Sequence, residues 1–295
     1  MNQNEDEWCS VSSEDAHEPL VGTAAVAPQI VAVELRQPWT ARGFPEIDVS
    51  DAVRAVLNRQ KADGARIQLI RQPQRDDGPL RLFVIDGSRD RTWALDLNDE
   101  AALTDVDFDA LWRGEGPDDA RLTRPAYLIC THGRRDRCCA LKGMGVYQAF
   151  ADGTDAEVWQ TTHLGGHRFA PTLTVLPQLI CYGRLPIEDV PDVITAHEAN
   201  RAHALGRWRG RMAWPRPAQA AEIYYRMAHP DQGPMLDDVR LESCDPIEEK
   251  AWRVVLSTAV VEIVEQPVDR PVRKSCRDDV LKPVSQLVMR TMTAR

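Results

Sequence analysis

Two short segments hold most of the side chains that could do chemistry: Cys130-Thr-His-Gly-Arg-Arg-Asp-Arg-Cys138-Cys139 and His163-Leu-Gly-Gly-His167. Together they offer soft sulfur donors and two imidazoles, the donor set of a metal ion or of an iron–sulfur cluster in which histidine replaces part of the usual thiolate. Thiolate suits iron–sulfide units because both are soft. Imidazole on one iron raises the reduction potential: with two thiolates and two neutral histidines the oxidised two-iron, two-sulfide unit is uncharged, and adding an electron costs less than with four thiolates. Gly165 and Gly166 would let the backbone turn tightly, aim both imidazoles at one centre and leave room for a cluster.

Each piece has a plainer alternative. Cys130 at a strand end is also an ordinary small core residue. Two cysteines and two histidines equally satisfy tetrahedral zinc. A thiol oxidoreductase using Cys130 or the Cys138–Cys139 pair is a third option, although no C-x-x-C pair is present. Around the cysteine loop, Arg134, Arg135, Arg137 and Lys142 form a basic patch opposed by Asp136 alone. It would suit an acidic redox partner or simply be a solvated loop. Arg168 and Arg184 could do the same. Arg135 and Asp136 read as a local pair fixing the loop, and His132 as either a loop-orienting or a proton-relaying group. Trp208 and Trp214 read as core. Cys9, Cys181, Cys244 and Cys276 have no paired spacing and read as structural.

The elements that must position these groups follow from pattern. Ile30–Leu35, Arg66–Ile70, Leu80–Ile85 and Trp93–Leu97 are strand-like, with an amphipathic helix from Asp51 behind a Ser/Asp cap. Gly114–Asp119 is a loop and a candidate boundary. Ala126–Ile129 is a short strand ending at Cys130, and a helix runs from Cys139 to Phe150. Ala156–Thr161 is a strand ending before His163, and Thr172–Leu176 with Leu179–Tyr182 forms a hairpin. Helices are expected at about Glu188–Ala204 and Ala218–Met227, and strands at Trp252–Leu256 and Val260–Val264. Residues 1–20 look irregular. This β-α-β-ββ-α order is thioredoxin-like, and it would bring both ligand loops to one sheet edge.

The composition of the 295-residue chain, 43% hydrophobic and 27% charged, is that of a globular protein able to bury a core. Its net charge of −9 argues against a nucleic-acid binder. No apolar run is long enough to cross a bilayer and the acidic start lacks a secretory pattern, so the expected compartment is the cytoplasm. There, clustered cysteines among the seven present are better read as ligands or redox groups than as disulfides.

Cys130-x-His-x-x-Arg-Asp-x-x-Cys139 followed by His163-x-Gly-Gly-His167-Arg-Phe-Ala-Pro resembles the sucrase/ferredoxin-like family, thioredoxin-like [2Fe–2S] proteins. The resemblance extends to Cys9-Ser-x-x-Ser…Glu18-Pro-Leu-x-Gly-Thr-Ala, to Tyr182-Gly-Arg184 and to Arg209-Gly-Arg211…Gln219-Ala-Ala-Glu222. It implies a [2Fe–2S] cofactor held by Cys130, Cys139, His163 and His167. Cys138 stands where related sequences often carry Arg and reads as a bystander. The family label does not imply sugar hydrolysis, and no paired-carboxylate pattern supports it. The expected fold is α/β: a thioredoxin-like cluster-binding domain (121–240), preceded by a second α/β half (1–120) that could itself be a degenerate thioredoxin-like unit, and followed by a small C-terminal extension (241–295). The expected function is electron transfer or redox sensing with a partner protein, without nucleic acid or membrane, and more a non-catalytic carrier than an enzyme.

Overall fold

A computed structural model describes residues 8–75, 77–230 and 235–295. Its first half runs β1 (Gln29–Glu34), α2 (Asp51–Ala62), β2 (Arg66–Arg71), β3 (Leu80–Asp86), β4 (Arg91–Leu97) and α3 (Phe108–Arg113). β1 pairs parallel with β2 and antiparallel with β3, which pairs antiparallel with β4. The second half repeats the plan: β5 (Ala126–Cys130), α4 (Arg137–Gly153), β6 (Glu157–Thr161), β7 (Thr172–Leu176), β8 (Ile180–Gly183), α5 (Val190–Glu198), β9 (Trp208–Arg211) and α6 (Arg216–Ala228). β5 pairs parallel with β6 and antiparallel with β7, and the ladder continues through β8 and β9. Each half therefore has its first strand flanked by a parallel second and an antiparallel third, the thioredoxin-like arrangement.

The two halves share one nine-stranded sheet because their edge strands meet: β2 pairs antiparallel with β6 through Ile70↔Thr161 and Arg71↔Gln160. A common core seals the join on one face, where Ile30, Ile70, Phe83 and Ile85 pack with Leu128, Trp159 and Leu176. Between residues 29 and 120 the chain has neither cysteine nor histidine. Within this sheet, any site of cysteine and histidine is therefore built by the second half.

Local chemistry explains most element boundaries. Ser50 caps α2 by accepting from Val53 N, and Val53 and Leu57 face the core. Five consecutive buried residues in β5 suit a strand covered on both faces. Where the structure departs from expectation, a specific residue is responsible. The N-terminal segment, expected to be irregular, forms helix α1 (Cys9–Asp15) because it has a surface to pack on, with Cys9, Ser10 and Ser13 buried. α5 ends at Glu198 rather than near Ala204, since Asn200 and Ala204 take left-handed conformations that stop the helix.

The extension forms a separate antiparallel sheet, β10 (Leu241–Glu248), β11 (Ala251–Leu256), β12 (Ala259–Pro267) and β13 (Ser285–Ala294). It packs on α6 through Val254, Leu256, Val261, Ile263 and Leu287 against Ala218, Ala221 and Tyr225. Trp208 is buried in the core of the second half and Trp214 packs at this second interface. Among the described residues no helix is long and apolar enough to cross a membrane.

Candidate metal centre

β5 and β6 are parallel neighbours, so both end at the same sheet edge, and the loops leaving them carry the sulfur and imidazole groups. Cys130 is the last residue of β5. α4 starts seven residues later, capped by Asp136 Oδ1, which accepts from Cys138 N at 3.1 Å. This cap aims Cys139 back at Cys130. The close approach depends on Gly143 one turn further on: a Cβ there would lie 2.2 Å from Cys130 O. The ligand atoms of Cys130, Cys139 and His163 all fall within 4.8 Å of one another. Cys139 Sγ is 3.7 Å from His163 Nδ1. Both sulfurs are buried, and Leu164 covers them.

His167 lies beside this group. Its ring stacks on His163 with centroids 4.8 Å apart. Its Nδ1 is buried without any hydrogen-bond partner. An unpaired buried nitrogen beside a second imidazole has lost water without gaining a partner, as a ligand atom does in the absence of its metal. Cys130, Cys139 and His163 could hold a metal, and His167 adds a second imidazole beside them at the same sheet edge, a donor set of the kind used in mixed thiolate and imidazole ligation.

Mutual hydrogen bonding sets the two thiols apart. The Cys139 thiol donates to Cys130, which holds the Cys130 pKa well below the ordinary thiol value and favours its thiolate, the ligating form, while that of Cys139 is pushed up. Burial, and then the neighbouring His163, lowers the His167 pKa and keeps its imidazole neutral.

Three groups that hold the ligands differ from sequence expectation. Asp136 does not serve as a partner fixing Arg135. It caps α4, and its Oδ2 accepts from Ser275 Oγ (3.0 Å) and Cys276 N (2.9 Å) while lying 3.7 Å from His167 Nε2. A carboxylate behind a metal-binding imidazole orients the ring. His132 positions rather than relays: its Nε2 donates to Thr40 O at 2.7 Å and its Nδ1 accepts from His163 N at 3.2 Å. Arg168 and Arg184 are not docking cations. Arg168 grips buried Glu18 in a fork, and Arg184 binds Glu18 O and Ser13 Oγ, tying the N-terminal segment to the histidine loop. Both Glu18 and Asp136 lie in the motifs of the family resemblance, but their partners Arg168, Ser275 and Cys276 are remote in sequence and could not be read from it.

Gly165 (φ +102°) and Gly166 (φ +70°) make the tight turn that the sequence suggests, and Gly166 has a second reason. Its absent Cβ makes room for the guanidinium of buried Arg209, which donates to Gly165 O at 2.8 Å. The space serves the loop's anchor. The cysteines expected to be structural or spectators also regroup: Cys9, Cys138 and Cys276 come together beside Asp136. Cys181 is buried and Cys244 partly so, each away from both groups.

The family model for sucrase/ferredoxin-like proteins matches residues 9–210. The chain belongs to the sucrase/ferredoxin-like family. The match spans both ligand loops, the Glu18 segment and the Arg209 anchor, so the sucrase/ferredoxin-like features sit where the geometry concentrates them. Cys276 lies beyond it. No match was found among curated proteins or solved structures.

Proposed function

We propose that this protein is an electron carrier whose Cys130, Cys139, His163 and His167 hold a [2Fe–2S] cluster. The observation that carries this reading is the convergence of the Cys130, Cys139 and His163 donors within 4.8 Å of one another, with His167 stacked on His163 and its buried Nδ1 partnerless. When bound, such a cluster takes up and returns one electron, and histidine ligation sets its potential above that of all-thiolate clusters. Cys130, Cys139 and Leu164 form the dry side of the site. His163 and His167 are only half buried and form its outer edge. Electrons would pass by this imidazole edge.

His163 also lines a cavity of about 490 Å³ together with Arg42, Lys61, Arg66 and Arg135, and no carboxylate is among its lining residues. This suits an acidic redox partner docking next to the histidines. The basic surface therefore lies partly on the first half, where the start of β2 runs on past the end of β6.

Anaerobic purification with iron and sulfide analysis, and electron paramagnetic resonance of the reduced protein, tests the reading. Two irons and two sulfides per chain and a one-electron signal are expected, lost in Cys139→Ser and in the His163→Ala, His167→Ala variant. A second reading is one zinc ion at this site, favoured by the compactness of three donors within 4.8 Å. Colourless protein with zinc bound through Cys139 would replace the first reading by the second.

A further inference from the structure

Three cysteines remote in sequence meet on the other side of Asp136. Cys9 opens α1, Cys138 lies in the first turn of α4, and Cys276 sits in the segment joining β12 to β13. Their sulfurs form a nearly equilateral triangle: Cys9 to Cys138 is 3.6 Å, Cys138 to Cys276 is 3.3 Å and Cys276 to Cys9 is 3.5 Å. Asp136 Oδ1 stands 3.6 Å from Cys9 Sγ, and all four donor atoms lie within 4.8 Å of one another.

We propose that Cys9, Cys138, Cys276 and Asp136 form a second metal site, a structural zinc site distinct from the one at Cys130. It goes beyond the proposed function and does not depend on what Cys130 and Cys139 bind. The dimensions are the first argument. With Zn–S of about 2.3 Å and Zn–O of about 2.0 Å, tetrahedral coordination separates sulfurs by about 3.8 Å and sulfur from oxygen by about 3.5 Å. The observed spacings need to open by only a few tenths of an ångström. In a two-iron cluster at most two of these three thiolates could share an iron, and the third would stand across the bridging sulfides, well beyond contact. A disulfide would single out one pair at about 2.05 Å and leave the third sulfur idle, yet no side of this triangle stands apart from the other two.

The surroundings are those of a prepared site. Cys9 N donates to Cys276 Sγ at 3.4 Å, and Ser10 Oγ lies 3.3 Å from Cys138 Sγ. Ser275 Oγ and Cys276 N hold Asp136 Oδ2, which turns Oδ1 toward the sulfurs. Ala170 and Trp8 pack around the triangle. Adjacent residues on a helix point about 100° apart, so Cys138 and Cys139 deliver one sulfur to each site. The doubled cysteine then serves two centres, and Asp136 stands between them.

Such a site would fasten the segment around Cys276 over the cluster loops. The same segment is already stitched down by Arg273 N to Ser12 Oγ at 2.9 Å and Arg277 Nη2 to Arg134 O at 2.7 Å. Zinc binding would displace the thiol protons and lock α1, α4 and the β12–β13 connection together.

Metal analysis of protein made with zinc supplied, and purified without oxygen, reads this directly. Wild type should hold about one zinc per chain, and Cys138→Ser and Cys276→Ser should each lower it about tenfold or more while iron is retained. Cys139→Ser should do the reverse, keeping zinc and losing whatever Cys130 binds. Cobalt added to the metal-free Cys130→Ser, Cys139→Ser variant should give thiolate-to-cobalt charge-transfer bands and tetrahedral visible bands. If these variants do not fold, alkylation mapping on wild type replaces them: Cys9, Cys138 and Cys276 should be protected with zinc and become reactive together on chelation. Zinc retained in Cys276→Ser, alkylation of the three thiols unchanged by chelator, or a disulfide among them in anaerobic protein overturns the proposal.

Discussion

The fork between Glu18 and Arg168 gives the sharpest stability prediction, because it ties a buried N-terminal carboxylate to the residue after His167. Arg168 Nε and Nη2 donate to both Glu18 oxygens at 2.8 to 3.0 Å, and Ser13 Oγ adds a bond at 2.5 Å. The side chain of Glu18 is 2% exposed and that of Arg168 19%. Removing one member of a fully buried pair costs about 3–5 kcal/mol, mostly by stranding the other charge. The partial exposure of Arg168 lowers this to about 2–3 kcal/mol for Arg168→Met, which leaves Glu18 buried without its counter-ion. At about 2–4 °C per kcal/mol for a chain of this size, the melting point should fall by about 5–10 °C. Glu18→Gln, which removes the charge but keeps an acceptor, should cost less, and the double variant should recover about 1–2 kcal/mol relative to the sum of the singles. Thermal unfolding followed by circular dichroism at fixed pH supplies all four corners of the cycle. Iron retention after gel filtration should fall in parallel, since the fork holds the histidine loop. A coupling energy below about 0.5 kcal/mol, or an unchanged melting point in Arg168→Met, would refute the claim that this pair anchors the loop.

Gly143→Ala should force α4 away from the end of β5, since the new methyl would overlap Cys130 O. Bound metal at Cys130 should drop several-fold more than in Gly206→Ala, where nothing lies within 4 Å of the added carbon. Burial, with Arg211 next in effect, pushes the pKa of His197 from 6.5 down to about 3. The unfolded chain therefore takes up a proton below pH 6.5 that the folded chain refuses, and stability is lost as pH falls from there toward 3. At about 1.4 kcal/mol per pH unit this amounts to about 3 kcal/mol by pH 4.5. His197→Gln, which can keep a bond to Tyr182 Oη, should flatten that part of the acid limb, read as the difference in melting point between variant and wild type from pH 7 to pH 4.

The strands of the second half and helix α4 were legible because buried β-branched runs and apolar spacing are local signals. Cys130, Cys139 and His163, which the structure brings within 4.8 Å, were legible because both short loops follow strand ends and carry a recognisable motif. Asp136 was assigned to Arg135 because sequence offers only neighbours as partners, whereas its acceptors are filled by Cys138, Ser275 and Cys276. α1 was missed for want of amphipathic length. Seven residues form a helix here because Cys9, Ser10 and Ser13 are buried against the histidine loop and α4.

Cys9, Cys138 and Cys276 show where spacing fails as a guide and what replaces it. Separations of 129 and 138 residues carry no motif, and each cysteine taken singly is an unremarkable small apolar group. What binds them into one site is the cap on α4. A carboxylate at position 136 starts the helix, and the helix then presents two successive cysteines to opposite sides of that carboxylate. Replacing Asp136 with Asn keeps an acceptor for Cys138 N but removes the charge that faces Cys9 on one side and His167 on the other. Asp136→Asn should therefore weaken metal retention at both centres while Cys138→Ser and Cys139→Ser each weaken one. That pattern, read by metal analysis of the three variants side by side, separates a shared carboxylate from a cap that merely starts the helix, for which Asn would serve as well as Asp.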